Sequence, residues 1–124
     1  MSRAPAAPPD GIPNALALLR AARSKLSAET WIRYVAAADH NGDGVLATSP
    51  EAVRWDAFGA VVAAAGRTTD EGVKRRALDY LNRGVKALDP SCSCLQEWND
   101  EAARDVGDVL RAYDEAIAIA RRNG

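Results

Sequence analysis

Residues 99–124 read NDEAARDVGDVLRAYDEAIAIARRNG, and this stretch decides the fold class. Its apolar side chains recur every three or four residues, which is the spacing that places them on one face of an α-helix. We therefore predict a helix that begins near Asn99 or Asp100 and buries this face against the rest of the chain. The residues of the face are Ala102, Val106, Val109, Tyr113, Ile117 and Ala120.

The segment before it carries the signals of a second long helix. Thr68 and Glu71 have the spacing of a capping box, in which each side chain bonds to a backbone N–H near the other residue. Asp89 precedes Pro90, and a residue before proline disfavours helical backbone, so we expect the helix to end there. A loop over 90–98 then leads to the last helix. The predicted inward side chains are Val73, Ala77, Leu81, Val85 and Leu88.

Three further helices are predicted upstream, over about 13–26, 27–38 and 49–65. Proline suits the first turn of a helix, where its missing N–H has no partner, and this favours a start at Pro13. A serine N-cap favours a second start at Ser27. The third start combines both signals with a carboxylate near the positive end of the helix dipole, in the sequence Ser-Pro-Glu over 49–51.

The chain of 124 residues has the length of one domain. No segment alternates apolar and polar residues as a half-buried strand does, so no strand is predicted. Residues 1–12 contain three of the six prolines and little apolar surface, and we expect a flexible tail there. The prediction is an all-α domain over 13–124, with about five helices in an antiparallel bundle or an orthogonal array.

The charge balance argues against two classes of partner. Sixteen Lys and Arg stand against 17 Asp and Glu, which gives a net charge of -1 and no basic field that would attract nucleic acid. No apolar stretch is long enough to span a bilayer, and residues 1–12 lack the hydrophobic middle of a signal peptide. We expect a cytoplasmic protein with neither a nucleic-acid nor a membrane partner.

A short polar segment, DHNGDG, resembles the first half of an EF-hand calcium loop. Asp39, Asn41 and Asp43 stand at alternate positions, as hard oxygen ligands for calcium do. The twelfth position, where an EF-hand has a bidentate glutamate, holds Pro50, and Glu51 comes one residue late. Asn-Gly and Asp-Gly are also common turn pairs, so a plain polar turn is the favoured interpretation. The alternative is a calcium site formed by the three loop residues and Glu51.

The sequence does not indicate an enzyme. His40 is the only histidine, and a polar turn residue is the favoured interpretation of it. Cys92 and Cys94 are too close in sequence for an easy disulfide and lack the second pair of a closed zinc site, so we expect free thiols. No nucleophile elbow, phosphate-binding glycine loop or HExxH motif is present. We assign no catalytic residue and expect no cofactor other than the calcium alternative.

Two motifs surround the tryptophans. Residues 53–60 read VRWDAFGA and residues 98–100 read WND. Together they resemble an uncharacterised family of small bacterial and phage proteins, in which a V-R-W-C-A-L-G-A helix follows a variable turn and W-N-D opens a terminal helix. Asp56 stands in place of the cysteine and Phe58 in place of the leucine. The resemblance covers about 13–122 and implies an all-helical fold of unassigned activity.

The residues of these motifs also suggest a structural role. Trp55 and Trp98 are large enough to organise a small core. We expect Arg54 to pair with Asp100, and Asn99 or Asp100 to cap the last helix. If Trp98 lies on the surface instead, the same cluster becomes a candidate binding site, because Trp and Arg are frequent interface anchors.

Two functional hypotheses follow from the sequence. The first is a non-enzymatic helical module that binds another protein or a second copy of itself through a spare helix surface or the N-terminal tail. It rests on the tail, on alanine- and glycine-rich helices that pack closely, and on the absence of a catalytic set in the sequence. The alternative is a metal-responsive module that binds calcium through the degenerate loop that begins at Asp39.

Overall fold

The structure is a computed structural model, and it describes residues 11–92 and 94–123. Most of the tail predicted over 1–12 lies outside these residues. Ile12 is described, and it packs against the core while its N–H donates to the Thr69 hydroxyl at 3.0 Å. Ile12, which was predicted to belong to the tail, is therefore part of the packed domain and contacts the turn that precedes a long helix.

The described part of the chain confirms the all-α prediction in one compact domain. It contains five α-helices, a single π-helical turn and a sheet of two very short strands. Within it, no helix is both long and apolar enough to cross a membrane. The helices are α1 (Ala15–Ser24), α2 (Ala57–Ala65), α3 (Glu71–Leu88), α4 (Leu95–Glu97) and α5 (Val106–Asn123), and the π-helical turn is Trp98–Ala102.

The two long helices, α3 and α5, pack against each other, α1 packs against both of them, and α2 packs against α1 and α3. The apolar faces predicted from helical spacing supply much of the core. Apolar surface removed from water in this way is the main stabilising contribution in a small domain. The largest fully buried apolar side chains are Tyr113, Leu18, Leu19, Leu81, Val61, Val85 and Val109.

The helix starts differ from those predicted. The Asn14 side chain caps α1 by accepting from the Ala17 N–H at 2.8 Å, so the helix begins after Pro13 and not at it. Asp70 caps α3 in place of Thr68, because its carboxylate lies nearer to the N–H groups of the first turn. The predicted end of α3 is confirmed, since it stops at Leu88.

The helix predicted over 27–38 is wrong. The Thr30 hydroxyl accepts from the Ser27 N–H at 2.8 Å and donates to the Lys25 carbonyl at 2.7 Å, and such local bonds compete with helix formation. Further along, Ala37–Ala38 forms strand β1, which pairs antiparallel with strand β2, Arg54–Trp55. Long-range pairing replaces the helix that local spacing favoured.

The helix predicted from Ser49 is wrong at its start. The serine hydroxyl accepts only from the Glu51 N–H, which makes a local turn. The chain then pairs with β1 and becomes helical at Ala57, with Asp56 as the N-cap. Gly59 allows this helix to approach the sheet, because a β-carbon there would overlap the Ala36 carbonyl. The predicted end at Ala65 is confirmed.

The last helix begins at Val106 and not near Asn99. Residues 95–102 form α4 and the π-helical turn, and Ala103 then has extended backbone. The break separates the W-N-D motif from α5. The side chains of Asn99 and Asp100 are consequently free to bond elsewhere, and they bond to the non-helical segment.

Candidate functional site

The two motifs meet at Asn99, which is completely buried. Its Oδ1 accepts from the Trp31 Nε1 at 2.7 Å and from the Ala57 N–H at 3.0 Å. Its Nδ2 donates to the Ile32 carbonyl at 3.3 Å and to the Asp100 Oδ1 at 2.9 Å. Both donor and both acceptor positions of the amide are therefore used. Asn99 holds the segment 30–34 against the start of α2 and does not cap the last helix.

Asp100 holds the exposed Tyr34. Its Oδ1 accepts from the Tyr34 N–H at 2.7 Å, and Tyr34 has a φ of 73°. A positive φ is unusual for a bulky residue and costs on the order of 1–3 kcal/mol, so it persists only where surrounding contacts impose it. The Tyr34 side chain is 67% exposed. The bond to Asp100 thus fixes a strained backbone whose aromatic ring faces solvent.

Arg54 does not pair with Asp100 as predicted. Its Nε donates to the Glu29 carbonyl at 3.2 Å, because the Trp55 N–H bonds to the Thr30 carbonyl and holds β2 beside the turn that begins at Ser27. Arg54 and Trp55 of the first motif form this strand, and Val53 directly precedes it, so this part of the motif is not helical. The pairing hypothesis is wrong, and the Arg54 side chain instead bonds β2 to the turn that begins at Ser27.

The two tryptophans differ in their surroundings. Trp98 is 4% exposed and belongs to the hydrophobic core, which confirms the predicted core role. Trp55 is partly buried against the same core, its Nε1 donates to the Ala47 carbonyl at 3.4 Å, and the Lys25 ammonium lies 4.9 Å from its ring centre. Trp98 is thus a core residue, whereas Trp55 covers the edge of the core.

Asp56 is a buried carboxylate at the same junction. It is 3% exposed and caps α2 by accepting from the Gly59 N–H. Burial raises its pKa to about 6, the bond from Gly59 opposes the rise, and the Asp100 charge adds to it. The fully buried Tyr113 hydroxyl donates to the Ala57 carbonyl at 2.6 Å, and burial holds its pKa well above the usual value. Both groups satisfy backbone partners and are hidden from solvent.

The predicted calcium loop is folded as a turn. The Asp39 Oδ1 accepts from the N–H groups of Asn41 at 2.9 Å and Asp43 at 3.0 Å. Glu51 lies across a shallow pocket of about 450 Å³ from this turn. Within residues 11–92 and 94–123, no three His, Cys, Asp or Glu side chains come together as a metal-binding group. Calcium binding stays a prediction, without a formed ligand shell to support it.

The two cysteines are free, as predicted. The Cys92 thiol lies 3.6 Å from the Cys94 carbonyl, and the Cys94 sulfur accepts from the Glu97 N–H. Burial raises the pKa of the Cys92 thiol, which keeps it protonated at neutral pH and lowers its reactivity. This pair therefore gives no support for a nucleophilic site.

The exposed apolar side chains are concentrated in one segment, which sequence reasoning missed. Among residues 11–92 and 94–123, five large hydrophobic side chains are exposed, and four of them lie between positions 34 and 53, in the segment that contains β1 and leads to β2: Tyr34, Val35, Leu46 and Val53. We call these four residues the 34–53 surface. Tyr34 and Val35 fall within the helix predicted over 27–38, and that prediction does not indicate that their side chains are exposed. The sequence does contain one indication of this surface, the uncharged run GVLATSP at 44–50. No other apolar residue stands at helical spacing from Leu46 within this run, so the run does not predict a buried helix face.

Comparisons with known proteins give a family but no activity. No curated protein and no solved structure matches the chain. One family model matches residues 12–119, which include both motifs, the junction at Asn99 and the 34–53 surface. The chain therefore belongs to DUF6197, a family of unknown function.

Proposed function

We propose that this protein is a non-enzymatic interaction module that associates with a second copy of itself through the 34–53 surface. The observation that carries the proposal is Tyr34, whose strained backbone is held by Asp100 while its ring stays exposed. Strain that the surrounding structure maintains is common at ligand and partner sites. The proposal explains why the strain is kept: a relaxed Tyr34 backbone would reorient the exposed ring.

The composition of the surface supports a protein partner. Leu46 is 77% exposed, and the run 44–50 that carries it contains no charged residue. The proposal brings the four residues of the 34–53 surface into one contact patch, and exposed apolar patches are typical of protein–protein contact sites. Tyrosine is also enriched at the centres of such sites, where its ring buries a large area and its hydroxyl finds a partner.

Charge favours a second copy as this partner. The net charge is -1, so two chains repel each other little. Closed two-fold dimers are the most common assemblies of soluble proteins, and they bring the same patch of each copy together. The non-enzymatic part rests on the junction itself, where Asp56 and Tyr113 are both engaged with the backbone and lie out of reach of a substrate.

Sedimentation velocity across a range of protein concentrations tests the proposal. We expect a monomer–dimer equilibrium that Leu46→Lys shifts strongly toward monomer, because a charge would be buried in the contact. The matched control is Leu88→Lys, since Leu88 is the exposed apolar residue outside the surface, at the end of α3. A monomer at every concentration overturns self-association, and so does an equal effect of both variants.

A further inference from the structure

A second surface feature is formed by three helices and contains none of the residues of the junction. The start of α1, the middle of α3 and the end of α5 enclose an open pocket of about 630 Å³. Small-molecule sites commonly have about 300–1,000 Å³. The pocket is bounded by ordered helices on three sides, so its walls do not depend on a loop closing over it.

The pocket contains two arginines without acidic partners. Arg76 of α3 and Arg121 of α5 both line it, and none of its lining residues is acidic. Neither arginine forms an ion pair with any residue that the structure describes, whereas Arg23 and Arg83 each pair with an aspartate. In a chain whose net charge is -1, two uncompensated guanidinium groups in one pocket make a local positive site.

Hydrogen-bond donors add to this charge. The Asn14 Oδ1 is used in capping α1, which leaves its amide N–H groups available at the pocket wall. Tyr80 also lines the pocket, and its hydroxyl makes no hydrogen bond to the described residues. The first turn of α1 carries no acidic side chain, but the negative dipole end of α5 lines the same pocket, so the positive charge of the site comes from the two arginines.

The remaining wall is apolar. Leu16 of α1, Ala120 of α5 and Tyr80 of α3 line it, and the Arg83 guanidinium lies 5.6 Å from the centre of the Tyr80 ring. A ligand that fits both halves therefore has an anionic end and an apolar or aromatic end. Arginine forks bind oxyanions through paired N–H bonds, and a phosphate offers one more oxygen and more charge than a carboxylate.

We propose that this pocket binds a phosphate monoester, with its phosphate between Arg76 and Arg121 and its apolar group against Leu16 and Tyr80. The site is independent of the 34–53 surface. Two guanidinium groups match the two charges of the dianion, and the Asn14 and Tyr80 donors reach the remaining oxygens. The ligand class is thus set by the two charged and the several apolar side chains that line one pocket.

Titration of the ¹⁵N-labelled chain with phenyl phosphate, followed by NMR, tests this site. We expect saturable shifts confined to the start of α1, the middle of α3 and the end of α5. Arg76→Gln or Arg121→Gln weakens binding at least about tenfold, since each removes charge-assisted hydrogen bonds. Arg75→Gln is the matched control, because Arg75 is exposed on the same helix but does not line the pocket.

Other probes separate the contributions to binding. Benzoate measures the preference for phosphate over carboxylate, inorganic phosphate measures the contribution of the ring, and benzyl alcohol measures binding without charge. We expect all three to bind more weakly than phenyl phosphate. Benzoate binding as tightly as phenyl phosphate overturns the assignment to phosphate.

Two further outcomes overturn the site itself. One is the absence of saturable shifts with phenyl phosphate at millimolar concentrations. The other is an equal loss of affinity in Arg75→Gln, which would mean that general surface charge attracts the probe. The shift map of the unchanged chain locates binding without any variant, so the test does not depend on the variants folding.

Discussion

The helices α1, α3 and α5 and the segment 27–56 are held by different forces. The helices bury apolar faces whose spacing is visible in the sequence. The segment has two short strands, few large buried side chains, and long-range hydrogen bonds to Asn99 and Asp100. Apolar burial tolerates small shifts because it has no direction, whereas a buried hydrogen bond is lost when one partner moves. The helices therefore supply most of the stability, and the segment supplies the exposed 34–53 surface.

The largest expected effect comes from the core. Trp98→Ala removes a buried indole and leaves a cavity, which costs about 3–5 kcal/mol for large aromatic residues. Urea unfolding measures the change in the free energy of unfolding. Leu46→Ala is the control, and we expect it to be nearly neutral because its side chain is 77% exposed. A small loss for Trp98→Ala would mean that the helices do not depend on this part of the core.

Asn99→Ala should separate the two regions. The change leaves the Trp31 Nε1 and the Ala57 N–H without their acceptor, at an expected cost of about 2–4 kcal/mol for several buried polar groups. Hydrogen exchange should show lost protection at Ile32 and Trp55, whose N–H groups bond within the segment, before any loss in α3 or α5. Asn82→Ala on α3 serves as the control, since Asn82 is exposed. Equal loss of protection in all elements would contradict the division into two regions.

Asp56→Asn tests the buried charge that links the regions. The pKa of Asp56 is raised from 3.8 to about 6, so the folded state binds the proton more tightly than the unfolded state. This group therefore lowers the free energy of unfolding as pH rises from about 4 to about 6, by roughly 3 kcal/mol at most. Asparagine can still cap α2 and carries no charge, so we expect the variant to gain about 1–3 kcal/mol relative to the unchanged chain at pH 7.

Thermal or urea unfolding of both proteins at several pH values measures this difference. It should be smallest near pH 4 and largest above pH 6, because only the ionised carboxylate is penalised. Asp79→Asn is the control, since Asp79 is exposed and pairs with Arg83 on the surface. A difference that does not change with pH would mean that Asp56 stays ionised without cost.

Tyr34→Gly tests the strain in the segment. Glycine adopts a positive φ without a steric penalty, so we expect the free energy of unfolding to rise by about 1 kcal/mol. The same change removes the aromatic ring and should weaken the proposed self-association. Val35→Gly is the matched control: Val35 does not have a positive φ, so glycine there should destabilise the chain by about 0.5–1 kcal/mol. Loss of stability in both variants would show that the Tyr34 backbone is not strained.

The difference between the helices and the segment 27–56 also explains which elements could be predicted from the sequence. The spacing of Leu81, Val85 and Tyr113 identified faces of α3 and α5 that are buried, because residues three or four apart share a helix face whatever the rest of the chain does. The three-residue spacing of Trp31 and Tyr34 also fits a helix face, and both residues therefore fall within the helix predicted over 27–38. Their actual partners, Asn99 and Asp100, lie more than sixty residues away, and no local pattern encodes such a contact.

The helix-capping roles predicted for two motif residues were wrong. The motif residues Asn99 and Asp100 do lie at the centre of the junction, but as hydrogen-bond partners of the segment and not as helix caps. Caps were inferred because both residue types are common at helix starts. The helical backbone is interrupted at Ala103, so α5 starts at Val106. No proline or glycine stands at the interruption to predict it from the sequence.

Calcium should have the smallest effect, because the turn already satisfies its own carboxylate. The Asp39 Oδ1 accepts two backbone N–H groups, and binding a cation through it would compete with those bonds. A ligand selective for the folded state raises the melting midpoint by mass action. We expect no rise with millimolar calcium after chelator treatment, with magnesium as the control. A calcium-specific rise that Asp39→Ala and Asp43→Ala both abolish would instead make this turn a ligand site, and the segment would then be stabilised by metal as well as by Asn99.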